Sequence, residues 1–134
     1  MIGVDSNVLA RAFLKDDLKQ SPQAQKLIAK LAVKGGCFVA YLSVAELGWI
    51  LASAGWQRGD VAEALERLLH TDGIEVGNAS WVHRALQDFK KGPADLADYL
   101  IAAEAEAQRC ETVYTFDRKF GKDPRATWLL AKRR

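Results

Sequence analysis

Five carboxylates stand where the chain changes character: Asp5, Glu46, Asp95, Asp98 and Asp117. Asp5 ends the apolar opening "MIGV", and Glu46 follows "CFVAYL" by a few residues. Asp95 and Asp98 open "DLADYLIAAEAEAQRC", and Asp117 closes "TVYTF". Acids gathered at one place repel. A pair ~4 Å apart at an effective dielectric near 20 costs about 4 kcal/mol, and a helix N-terminus offsets only about 0.3–1 kcal/mol of that. The remainder calls for a proton or a cation. An all-oxygen site with no His or Cys nearby suits Mg²⁺ or Mn²⁺ rather than zinc. Such an ion lowers the pKa of a bound water and stabilises a leaving 3′-oxygen, which is the chemistry of phosphodiester hydrolysis.

Taken singly, each acid has a local alternative. "SVAE" (Ser43 to Glu46) has the form of a capping box, in which Glu46 reaches back to the amide of Ser43. "DLAD" offers Asp95 as a cap with Asp98 favoured in the first helical turn. Asp5 or Ser6 can cap the helix that follows the opening. The question is whether remote acids share one ion or each ties down its own backbone.

The elements that would position them read as follows. "MIGVD", "CFVAYL", "GIEVG" and "TVYTF" are short runs of strand formers. Between them, "SNVLARAFL", "QAQKLIAKLAVK", "SVAELGWILASAG", "RGDVAEALERLLH", "NASWVHRALQDFKK" and "DLADYLIAAEAEAQRC" carry apolar residues at helical spacing. Ser21 and Pro22 mark the start of the second helix and Gly35-Gly36 its end. "RKFGKDPRATWLL" has the composition of an edge strand. Strands alternating with helices predict parallel pairing and an α/β layer fold. Parallel strands end on one edge, where open α/β sheets hold their ligands. That edge would collect at least Asp5, Glu46, in the first turn of its helix, and Asp117.

Composition places these elements in one domain, residues 1–134. The 134 residues, 49% hydrophobic and 27% charged, are enough to bury a core without staples. No apolar run approaches the ~20 residues of a membrane span, and the N-terminus has no secretory pattern. Cys37 and Cys110 lie in apolar segments outside any metal-binding spacing and read as two buried thiols in a reducing, cytoplasmic setting. The net charge of +2 does not announce a nucleic-acid binder. From Arg118 onward, however, Lys119, Lys122, Arg125, Lys132, Arg133 and Arg134 face Asp123 alone. A basic end attracts phosphate, or simply stays solvated.

In "MIGVDSNVLARAFLKDD", "YLSVAELGWIL" and "DLADYLIAAEAEAQRCETVYTFDRKF", the chain resembles PIN-domain ribonucleases, and more narrowly the VapC-type toxins of bacterial toxin–antitoxin pairs. The resemblance runs in order over almost the whole chain. It implies a PIN-like three-layer sandwich, a short, mostly parallel sheet of four to five strands flanked by helices. It implies a metal-dependent ribonuclease with Mg²⁺ or Mn²⁺, a cognate VapB-like antitoxin and a homodimer. Carried over by position, the four acids are Asp5, Glu46, Asp98 and Asp117, with Asp5, Asp98 and Asp117 at the ion. Ser6 stands where the family usually has Thr and keeps the hydroxyl. Asn7 would hold the acidic loop in shape, and Thr115 matches a recurring hydroxyl beside the fourth acid. Asp95 is left to capping.

Arg11 and Arg118 are candidates for contact with RNA phosphate or an antitoxin carboxylate, with a surface ion pair as the alternative for Arg11. His70 and His83 stand alone on helices, outside ligand spacing, and Trp49, Trp56 and Trp81 read as core or interface aromatics. Two other functions compete. A Mg²⁺-dependent phosphotransfer enzyme gathers acids at strand ends too, but Asn7 occupies the second acid of a phosphatase Asp-x-Asp pair. A non-catalytic PIN-like RNA- or protein-binding module would tend to lose one of the four acids, and this chain has all of them.

Overall fold

The first strand, β1 (Ile2–Gly3), is only two residues long, because the turn into α1 (Ser6–Leu14) begins at Asp5. The computed structural model describes residues 1–131. The basic residues Lys132, Arg133 and Arg134 lie outside the described part. The Asp5 carboxylate caps α1 by accepting the Val8 N–H at 3.1 Å. The next helix, α2 (Gln20–Val33), starts earlier than Ser21 and Pro22 suggest. Asp17, not Ser21, takes the entry amides, accepting the N–H groups of Lys19 and Gln20 at 2.9 and 2.7 Å. Those bonds hold the Asp17 carboxyl below its ordinary value. Gly35 and Gly36, both at positive φ, then turn the chain into β2 (Cys37–Val39).

The chain continues through α3 (Tyr41–Ser53), α4 (Arg58–Leu69), β3 (Ile74–Val76), α5 (Ala79–Lys91) and α6 (Leu96–Ala107). It closes with β4 (Val113–Thr115), a 3₁₀ turn (Phe120–Lys122) and β5 (Ala126–Trp128). Every helix and strand expected from the sequence is present, including the strand in the "RATWLL" segment. All pairings are parallel. They form two sheets rather than one: β1-β2-β3 in that order, and β4-β5 apart from it. Cys37 of β2 sits opposite Ile2 and Ile74, and Val113 of β4 sits opposite Ala126. Exposed at both residues, β1 offers too short an edge to carry the ladder on to β4.

Packing around the three-stranded sheet is apolar and tight. Leu9 of α1, Leu47 and Leu51 of α3, Leu65 of α4 and Leu86 of α5 are fully buried. Of the apolar stripes expected from helical spacing, Val61, Leu65 and Leu68 of α4 and Val82, Leu86 and Phe89 of α5 are buried, while Leu69 and Trp81 pack against the core partly buried. Gly48 lets α3 approach α6, since a Cβ there would come within 3.3 Å of the Leu96 side chain. Trp81 packs edge-on against Tyr41, with ring centroids 5.7 Å apart. Trp49, by contrast, is 70% exposed, as is much of Leu42 on the same face of α3.

Two expectations need correcting. Cys37 is buried, which pushes its thiol pKa up, but Cys110 is exposed. It follows the end of α6 and the left-handed Arg109, with charged Arg109 and Glu111 on either side. The capping box at Ser43 does not form either. The cap position of α3 is Ala40, so Ser43 is a buried residue inside the helix and Glu46 lies in its second turn, exposed. Among the described residues, no helix is long and apolar enough to cross a membrane.

Candidate functional site

Because β1 and β2 are parallel and in register, their carboxyl ends share an edge, extended by the Val4 N–H donating to the Phe38 carbonyl at 3.0 Å. Asp5 leaves that edge from β1, and α3 carries Glu46 away from it after β2. Asp5 is exposed and serves as the helix cap with Oδ1, so local and functional readings coexist in one residue. Ser6 is buried beneath it and Asn7 is exposed beside it. Asn7 and Arg11 line a groove between α1 and α2 with Gln20, Gln23 and Leu27. The Arg11 guanidinium is taken by Asp16 at 2.9 Å, which is the surface ion pair weighed against a functional contact.

Asp98 and Asp117 form the other half. Asp95 occupies the cap position of α6 but its side chain makes no capping bond; its carbonyl accepts the Asp98 N–H at 3.1 Å. Asp117 follows β4 and is held at both ends. Its N–H donates to the Thr115 hydroxyl at 2.9 Å, and its Oδ1 accepts the Phe120 N–H at 3.0 Å. Asp117 shares a shallow pocket with Ala94, Asp95, Arg118 and Lys119. The Arg118 guanidinium lies 5.6 Å from the Trp128 ring centroid, and Trp128 donates its indole N–H to the Phe116 carbonyl at 3.2 Å.

Electrostatics joins this second half. The Asp98 carboxyl is half-buried, and its pKa is pushed above the usual carboxylate value. Burial is the largest cause, and the negative charge of Asp117 is next. The hydrogen bond from Asp95's backbone opposes the shift, and the Asp95 charge adds to it. Asp98 thus feels the charges of Asp117 and Asp95, while Asp5 follows β1 and Glu46 lies on α3. Among the described residues, no three Asp, Glu, His or Cys side chains converge as a group able to hold an ion. β4, which precedes Asp117, pairs with β5, and β1, which precedes Asp5, pairs with β2. The Asp98–Asp117 pair does fit a hard divalent cation in its donor chemistry. Both donors are carboxylates, and the charge of Asp117 opposes ionisation of Asp98.

Sequence reasoning missed the contacts made across long separations. Arg125 bridges Asp123 at 2.8 Å and Asp88 of α5 at 2.7 Å, tying the C-terminal segment to that helix. His70 and His83, far apart in sequence, meet edge-to-face with ring centroids 5.7 Å apart. The basic Arg125, assigned to a phosphate-attracting end, is in fact mostly buried and spent on these carboxylates. No local signal distinguishes it from Lys122 or Arg118.

The family model for the PIN domain matches residues 2–124. No curated protein matches the chain. Among solved structures, the chain is similar to the crystal structure of VapC20 from Mycobacterium tuberculosis, described as a Sarcin-Ricin loop cleaving toxin. The identity is 20% and the TM-score 0.45, with 91% of this chain and 94% of that one covered.

Proposed function

Since the chain belongs to the PIN-domain family over residues 2–124, we propose that it is a divalent-cation-dependent endoribonuclease, the toxin of a VapBC-type toxin–antitoxin pair. The observation that carries this reading is the PIN-domain match itself, whose span holds Asp5, Glu46, Asp98 and Asp117. A half-buried acid opposed by a second acid favours a cation beside it. Asp98 and Asp117, with Asp5, would hold Mg²⁺ or Mn²⁺. When bound, the ion supplies an activated water and stabilisation of the leaving 3′-oxygen. Thr115 fixes the backbone of Asp117, and so the direction of its carboxylate. Glu46, released from any capping duty, is the acid available to orient the proton of the attacking water. Asn7, exposed in the first turn of α1 beside Asp5, would face phosphate or water, and Ser6, buried in the same turn, would support it from within. Arg118 and Lys119, beside Asp117, meet the RNA backbone. Hydrolysis would leave a 5′-phosphate and a 3′-hydroxyl on a tRNA, ribosomal RNA or messenger. A cytoplasmic location, a VapB-like antitoxin and a homodimer belong to the same proposal.

One observation favours a second reading, a PIN-like module that binds RNA or protein without cutting. The acids do not converge as one ion-holding group among the described residues. Incubating total RNA with the purified protein in Mg²⁺ or Mn²⁺, and then with EDTA, separates the two. The nuclease reading expects metal-dependent cleavage, reduced about 10²–10⁴-fold in Asp98→Asn or Asp117→Asn with unchanged circular dichroism. RNA left intact at every metal concentration would leave the binding module standing.

A further inference from the structure

Arg58 opens α4, yet its guanidinium serves a different part of the chain. Nε and Nη2 donate to the Phe89 carbonyl at 3.1 and 2.9 Å. Nη2 also donates to the carbonyls of Gly92 and Ala94 at 2.7 and 2.5 Å. The guanidinium carbon stacks 3.8 Å from the centroid of the Phe89 ring. Phe89 lies in the last turn of α5, where helix carbonyls lack partners of their own. Gly92 and Ala94 belong to the connection from α5 to α6.

Ala94 is gripped from its other side as well. Its N–H donates to the Tyr99 hydroxyl at 3.2 Å, and the residue is 1% exposed. One residue later Asp95 occupies the cap position of α6, and Asp98 stands in the first turn. So a single residue of irregular backbone separates the gripped Ala94 from the helix that carries Asp98. All of Arg58's acceptors are neutral carbonyls, which makes its contribution geometric. A lysine cannot reproduce a planar fork reaching three of them.

We infer that Arg58 is a positioning residue for Asp98: by holding Ala94 it sets where α6 begins, and with that how Asp98 meets Asp117 and how tightly the pair takes a divalent cation. This rests on the reading of Asp98 and Asp117 as cation ligands. Residues that orient ligands without touching the ion commonly change metal affinity about 10–100-fold when lost.

The test is Mn²⁺ binding to the full chain without RNA, with free Mn²⁺ measured by electron paramagnetic resonance. Amide hydrogen exchange at Ala94 is followed on the same samples. Arg58→Met keeps a stem over Phe89 and removes every donor. Its Mn²⁺ Kd should rise roughly 10-fold, with faster exchange at Ala94. Arg58→Lys should fall between it and wild type. Arg84→Met, which breaks an ion pair to Asp88 within α5 and one to Glu106 across to α6, should leave the Kd at the wild-type value.

Equal Kd values in wild type and Arg58→Met, with exchange at Ala94 accelerated, overturn the inference, because the clamp then serves stability alone. An affinity loss in Arg84→Met as large as that in Arg58→Met also overturns it, since any loosening would then suffice. Wild-type protein that binds no Mn²⁺ removes the cation-site reading and this inference with it. That outcome is distinct, because the wild type itself is then silent. If Arg58→Met loses its helical circular dichroism, Arg58→Lys carries the comparison.

Discussion

Asp98 carries its charge against three opponents: its own burial, then Asp117, then Asp95. A carboxyl whose pKa is raised by folding binds its proton more readily in the native state than in the unfolded one. Its stabilising contribution is therefore complete below the ordinary value of 3.8 and is lost as pH rises through the raised native value. At neutral pH the ionised Asp98 is a liability. Asp98→Asn should therefore be more stable than wild type at neutral pH while losing activity, and the two should converge in acid. Urea unfolding at both pH values checks this. An Asn variant less stable than wild type at neutral pH would show that Asp98 is a structural acid. Mn²⁺ should narrow the gap by stabilising wild type and not the variant.

At the scale of the element, Asp5 has two duties that substitution can separate. Its Oδ1 caps α1 through the Val8 N–H, and its place after β1 puts it on the sheet's carboxyl edge. Asparagine caps as well as aspartate, whereas alanine cannot cap. Asp5→Asn should thus keep wild-type stability and lose nuclease activity. Asp5→Ala should lose activity and about 1 kcal/mol of stability besides. Thermal denaturation of both variants, paired with an RNA-cleavage assay, reads the two duties independently. If the Asn variant cuts RNA normally, Asp5 is a cap and nothing more. For Glu46 no such separation is needed, since α3 starts at Tyr41 and leaves it no capping role.

For the whole molecule, the question is what keeps the β4–β5 unit, and with it Asp117, against the helices. Arg125 is the main polar tie. It is mostly buried, donates to Asp88 of α5, and binds Asp123 through both Nε and Nη2. Its hydrogen bond is the largest cause holding Asp123 below the usual carboxylate range, and Asp123 in turn raises Arg125 further. Removing one partner of such a network strands the other charges, at a cost of roughly 3 kcal/mol. Arg125→Met should lose about that much in urea unfolding at neutral pH. The sign in acid follows from the depressed pKa. Asp123's contribution is fully present above 3.8 and fades as pH falls through its lowered native value. The variant, lacking that contribution, should lose less stability than wild type over the same acid range. A parallel pH dependence in both proteins would place the tie elsewhere.

Much of this architecture is local and so legible from the amino acids alone. Helices such as α4 announce themselves because Val61, Leu65 and Leu68 recur at helical spacing, and short β-branched runs mark the strands. The identities of Asp5, Glu46, Asp98 and Asp117 could likewise be singled out by position, because they fall at strand ends and early helical turns. Tertiary contacts decided the rest. Whether β4 joins β1 or stands with β5 depends on edge lengths and packing that no short window encodes. The partners of Arg58, and Arg125's partner Asp88, lie 31 to 37 residues away, at separations where periodicity says nothing. Cys110 lies between Arg109 and Glu111 just past α6, and is exposed where Arg109 takes a left-handed turn. A sequence specifies its residue types and local periods. Which carboxylates share a neighbourhood is a property of distances between remote segments, and those exist only once the layers have packed.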